Sequence, residues 1–235
     1  MRGVLFGLAV AALATPAFAA DVINGDFELG NVGFTSAYTF IAPVPDGNTA
    51  AAQYTVTTDA FPWNPNFADY GDHTTGTGQY MVVNGAGDPV TVWQNAAPVA
   101  LDAGDYQFSF WLSDACCNSG FNAGAGAGVD PAPPLLQISL NGSLISPTNL
   151  TVSPPAGVWH QVSEDFTVTS PGALATFSIV NNRLDPNGND FALDDIHVSS
   201  VAGVPEPASW ALMLLGFGGL GATLRARRRT AAATA

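Results

Sequence analysis

The chain has no lysine, and its six basic residues are all arginine against 19 acidic ones. Arg2 stands at the start and Arg225, Arg227, Arg228 and Arg229 near the end, so Arg183 is the one Lys or Arg between them. Eighteen acids lie between positions 21 and 204, which leaves that body at −17. A field of this sign repels nucleic acid and anionic lipid, whose recognition rests on Lys and Arg, and it suits calcium. Cysteine is nearly absent, since Cys116 and Cys117 are the only two and are neighbours. Two cysteines exclude a disulfide framework, and without a Cys/His cluster at zinc spacing they exclude a zinc site. The pair is read as a vicinal disulfide that stiffens a loop, with free thiols and intermolecular bridges as the alternatives.

Signatures of catalysis are equally scarce. There is no Gly-x-Ser-x-Gly elbow and no glycine loop for phosphate, and His73, His160 and His197 lie far apart. Glu164-Asp165 and Asp194-Asp195 are carboxylate pairs, but neighbours on a strand point to opposite faces and do not straddle a sugar as glycoside hydrolysis requires. No catalytic residue is assigned, and a non-enzymatic protein is expected. The alternative is a secreted polysaccharide-active enzyme, a glycosidase or lyase, whose carboxylate pair the sequence conceals.

No helical period runs through residues 20–203. Instead, β-rich runs recur at 22–28, 51–57, 79–83, 90–94, 105–112, 135–140, 159–169, 173–180 and 191–198, separated by turn pairs such as Asn84-Gly85, Asn141-Gly142 and Asn187-Gly188. The pattern predicts an all-β domain built as a two-sheet antiparallel sandwich. Alternation over Asp105–Leu112 sends Tyr106, Phe108, Phe110 and Leu112 to the core and Gln107, Ser109 and Trp111 to the other face. The stretches 62–78 and 113–134 are too long for hairpins and are expected to form binding loops. Aromatic faces stack on sugar rings, and Trp63, Tyr70 and Trp111 stand in contexts that read as exposed.

Both termini read as export signals. Met1-Arg2-Gly3, an apolar stretch over Val4–Leu13 and Ala17-Phe18-Ala19 predict a signal peptide over residues 1–19, a retained N-terminal anchor being the alternative. Near the other end, Pro205-Glu206-Pro207 is followed by the uncharged run Ala208–Leu224 and then by Arg225, Arg227, Arg228 and Arg229. Pro205 and Pro207 keep Glu206 extended, so a helix starts only after them. Seventeen residues at about 1.5 Å each rise about 25 Å, close to the lower limit for crossing a bilayer, with the arginines on the cytoplasmic side. Residues 230–235 are expected to be disordered.

The order of Pro-Glu-Pro, apolar helix and arginine cluster over residues 204–229 resembles the PEP-CTERM sorting tail of Gram-negative bacteria. That resemblance implies an exosortase partner, an intermediate anchored in the inner membrane, and a final place at the cell surface or in extracellular polysaccharide. A second resemblance rests on Asn24-Gly25-Asp26-Phe27-Glu28 and on Asp190-Phe191-Ala192-Leu193-Asp194-Asp195-Ile196-His197-Val198. Both are similar to the first and last strands of galactose-binding-like jelly rolls, which include many carbohydrate-binding modules. It implies a jelly roll and a structural calcium ion held by Glu28 with Asp194 or Asp195. Read from the residues alone, the Asp pair is either a cation site or a hydrated strand end. Asp185–Asp190 has its glycine misplaced for an EF-hand and reads as a turn.

Overall fold

A computed structural model describes residues 22–120, 130–146, 148–152, 155–201, 213–221 and 225. The signal peptide, Pro205-Glu206-Pro207, Arg227, Arg228, Arg229 and residues 230–235 lie outside the described residues. The chain divides into two compact units, Met1–Val201 and Ala202–Ala235.

In the first unit the strands are β1 (Phe34–Thr35), β2 (Thr39–Phe40), β3 (Gln53–Thr57), β4 (Tyr80–Asn84), β5 (Val90–Asn95), β6 (Val99–Leu101), β7 (Gly104–Asp114), β8 (Leu136–Leu140), β9 (Ser143–Leu144), β10 (Trp159–Val168), β11 (Ala173–Ala175), β12 (Phe177–Asn181) and β13 (Phe191–Ser200). They form a six-stranded sheet in the order β10-β7-β13-β4-β3-β2, a five-stranded sheet in the order β1-β5-β12-β8-β9, and the small pair β11-β6. The architecture is an all-β jelly-roll sandwich, antiparallel except where β2 runs parallel to β3. Alternation decides which side chains meet between the large sheets. From β7, Phe108, Phe110 and Leu112 are fully buried, and Phe108 stacks on Phe177 of β12 with ring centroids 4.9 Å apart.

The six-stranded sheet also has something to bury on its other face. Tyr80, Val82 and Ala192 form a second cluster with Ala60, Trp63, Phe67, Ala115, Cys116 and Cys117. Residues 60–71 are fastened over this face by the Tyr80 hydroxyl, which donates to Tyr70 O (2.6 Å) and accepts from Ala60 N (3.1 Å). The Trp159 indole N–H adds a bond to Gly71 O (3.1 Å). Cys116 and Cys117 form a vicinal disulfide, 3% and 4% exposed, that packs in this cluster. The expected binding loops are therefore partly a cover for the sheet.

The run at 22–28 is not a strand but a series of turns. Asn24 and Phe27 take φ values of 57° and 56°, outside the strand region. The Asn24 amide explains the choice by donating to Gly30 O and Val32 O (2.8 Å each) and accepting from Leu29 N (2.8 Å), so local side-chain bonds replace a ladder. In the second unit residues 213–221 are helical, with Met213, Leu214, Leu215 and Phe217 exposed. Among the described residues no helix is long and apolar enough to cross a membrane, and much of the predicted span 208–224 lies outside them.

Candidate functional site

The last strand carries the main irregularity of the six-stranded sheet. β13 pairs with β7 as far as Asp194↔Trp111 and resumes at His197↔Ser109, leaving Asp195 and Ile196 as a bulge. Bulges re-aim side chains. Asp195 takes φ 47°, Ile196 drops into the core at 0% exposure, and Asp194 stays with the outer face at 1%. The turn segment at 24–30 docks here through Ile196 N to Gly25 O (2.9 Å). This brings Glu28 to the bulge, where it faces Asp72 from the segment before β4.

Asp26, Glu28, Asp72, Asp194 and Asp195, with Thr74, Thr75, Thr77 and Gly78, line one cavity of about 350 Å³ that contains no basic side chain. A Cβ at Gly78 would collide with Glu28 Oε1 and lie 3.0 Å from Asp72 Oδ2, so a side chain there would push the two carboxylates from their present positions. Glu28 Oε1 accepts from Gln79 N (2.8 Å). Asp72 accepts from Gly78 N (2.7 Å) and Thr75 N (2.8 Å). Burial works to raise the Asp72 carboxyl, but these backbone and hydroxyl donors outweigh it and hold it below its ordinary value. Asp194 goes the other way. Burial pushes its carboxyl up to about 7, against donation from His73 N (2.9 Å) and with help from the nearby charges of Asp195 and Asp72.

The sequence-predicted metal set thus lines one cavity, and the structure separates the roles of its members. Asp195 Oδ2 accepts from the Thr74 hydroxyl at 2.6 Å and lies 2.7 Å from His73 Nδ1, while Asp194 accepts from His73 N with Oδ2 and from Asp195 N with Oδ1, so both members of the pair are already engaged on the protein side. Asp72 and His73 were not anticipated, because more than a hundred residues separate them from the Asp pair. A cation suits the place in charge and in donor chemistry, since hard oxygen ligands without a counter-charge are what calcium takes. Among the described residues, however, no three His, Cys, Asp or Glu side chains already stand at metal-ligating spacing. Backbone carbonyls and water would have to supply much of the shell.

The aromatic predictions need correction. Trp63 is 1% exposed inside the second cluster and offers no face to a ligand. Tyr70 is half-buried between Tyr80 and Trp159, at centroid distances of 5.4 and 5.8 Å. Trp111 is half-buried, but the His73 ring stacks on it at 3.6 Å and 15°. One face of Trp111 is therefore occupied. All three side chains serve to hold residues 60–73 on the sheet.

Beyond that cover, the outer face of β10, β7 and β13 is polar. Register places Gln161, Ser163 and Asp165 of β10 beside Trp111, Ser109 and Gln107 of β7, with His197 and Ser199 of β13 on the far side. Gln161, Ser163, Asp165, His197 and Ser199 are exposed. Gln107 Nε2 donates to Asp165 Oδ1 at 2.9 Å, so part of the strip is already ordered. Amides, hydroxyls and an imidazole on a rigid sheet, with Trp111 at one end, form a surface able to hydrogen-bond a polyol.

Residues 203–229 match the PEP-CTERM protein-sorting motif, so the chain carries the sorting signal expected from its tail. Among solved structures, a cyclase from Fischerella sp. TAU is 12% identical, with 81% of this chain and 100% of that chain covered and a TM-score of 0.52. The CBM22-1 xylan-binding domain of Paenibacillus barcinonensis Xyn10C is 13% identical over 83% of this chain and 100% of that one, with a TM-score of 0.43. The C-terminal domain of the sugar-binding protein EclA is 18% identical over 46% of this chain and 66% of that one, with a TM-score of 0.35. At these identities likeness concerns the fold alone. No curated protein matches the sequence.

Proposed function

We propose that this is a non-catalytic protein of the cell surface or extracellular polysaccharide, delivered there by its sorting tail, whose body binds glycan on the outer face of β10, β7 and β13. The observation that supports this most is the exposed polar strip bordered by Trp111, a rigid hydrogen-bonding surface left bare by the cover at 60–73. The sorting motif supplies the setting, implying an exosortase-type partner. Within the same reading, a structural calcium held by Glu28 with Asp194 or Asp195, its shell completed by backbone carbonyls and water, neutralises the acidic cavity and fastens residues 24–30 to the β13 bulge.

A glycan array probed with the full chain tests this, run beside a hydrolase and lyase screen on the same glycans. The expected result is binding without product release, weakened about tenfold or more by Trp111→Ala or Gln161→Ala with the melting temperature of Gln161→Ala unchanged. Loss of one or two good sugar contacts, about 1.4 kcal/mol or more, corresponds to that factor. Released oligosaccharide, or binding indifferent to both substitutions, would contradict the proposal.

A further inference from the structure

A second group of carboxylates lies at the start of β13. Asp114, the last residue of β7, pairs in register with Phe191, the first of β13. It is 0% exposed, and neither of its carboxylate oxygens makes a hydrogen bond of good geometry, the Cys116 N–H and the Asp130 carboxyl being its polar neighbours. Asp130 and Asp190 are 3% and 7% exposed; the charge of Asp130 acts on Asp114, and that of Asp114 acts on Asp190. Asp130 is held in place by Ala132 N (2.8 Å) and Asn189 N (3.2 Å), and Asp190 by Gly85 N (3.2 Å). Gly188, at φ +88°, admits this arrangement, since a Cβ there would collide with Asp130 Oδ1. Arg183 makes no ion pair with the group, since its Nε–H goes to Pro133 O at 2.8 Å, and its charge reaches Asp130 only from a distance. Among the described residues no basic side chain forms an ion pair with any of the three.

A buried carboxylate without a partner takes up a proton or binds a cation. A proton shared with Asp130 is the competing state, and it predicts that Asp114→Asn stabilises the chain while calcium has no effect there. We propose that Asp114 and Asp130 are ligands of a buried divalent cation of the hard, oxygen-seeking class, with Asp190 supporting from the next rank. No three acidic side chains among the described residues stand at ligating spacing, so main-chain carbonyls and water complete the six to eight oxygens. The ion would tie the end of β7, and with it the Cys116-Cys117 segment, to the residues around Asp130 and to the start of β13. It is independent of the cavity at Glu28 and Asp194, which involves other loops.

The test uses the full chain purified in detergent, freed of metal with chelator, and calcium as the probe. Equilibrium dialysis should show a bound equivalent that Asp114→Asn removes and that Glu28→Gln with Asp194→Asn leaves in place. Thermal melts should show a calcium-specific rise, not matched by magnesium at equal ionic strength, that survives in the Glu28→Gln, Asp194→Asn chain and is lost when Asp114→Asn is added to it. If Asp114→Asn does not fold by circular dichroism, Asp130→Asn carries the same expectation. Calcium stoichiometry unchanged by these substitutions overturns the proposal. So does stabilisation by Asp114→Asn with calcium without effect, the outcome of a shared proton.

Discussion

Asp114, Asp190 and Asp194 are carboxyls whose ionisation the fold opposes by burial. Burial raises the Asp114 carboxyl to about 8, with the charge of Asp130 adding to the effect, and raises Asp194 to about 7. Both values exceed that of an unfolded aspartate, so the folded state binds the protons more tightly. Their stabilising contribution is complete below about pH 4 and is lost as pH rises to about 8. In chelator, melting temperature should therefore fall across that window. The double variant Asp114→Asn, Asp194→Asn should fall less steeply. Parallel profiles for the two chains would show that general charge repulsion, not these two carboxyls, sets the slope. At this scale the sequence was half legible. Asp194 stood out because two neighbouring acids on a strand cannot both face water, whereas Asp72, His73 and Asp130 reach their partners only through the folded topology.

Among elements, the strands that alternate strictly were readable and those that do not were missed. Tyr106, Phe108, Phe110 and Leu112 entered the core as their period required, because that face of β7 packs against β12 through Phe108 and Phe177. The two-residue strands β1, β2 and β9 have too few residues for a period to show. The segment after residue 22 misled for another reason, since the Asn24 side chain satisfies backbone groups that a strand would have given to a neighbour. The disulfide segment shows its weight at this scale also. Cys116 and Cys117 sit in the cluster beneath Phe67, joined to it by a bridge between Phe67 and Cys116. Replacing both with serine puts two hydroxyls into an apolar site at about 1–3 kcal/mol each when unpaired. Melting temperature should drop by roughly 4–24 °C for a domain of this size. A drop under about 2 °C would mean that the cover over the sheet does not depend on the pair. Trp63 and Tyr70 were misjudged because this cover leaves no periodic trace in residues 60–71.

The whole molecule joins a sorting tail to an acidic sandwich. Replacing Pro205, Glu206 and Pro207 with alanine should leave export intact and block maturation, so immunoblots should show a larger, membrane-associated product in place of the surface form. Identical size and distribution for both chains would mean that the motif is not processed. The body's charge of −17 was legible from composition, and it argued against nucleic acid without naming what the outer sheet face holds. The most direct test of that face is co-sedimentation of the full chain with the extracellular polysaccharide of its own cells, at fixed ionic strength, for the wild type and for Trp111→Ala with Gln161→Ala. The wild type should pellet with the polysaccharide and the variant should remain about tenfold more in the supernatant. Equal partitioning of the two folded chains would contradict a glycan-binding role for the β10-β7-β13 face.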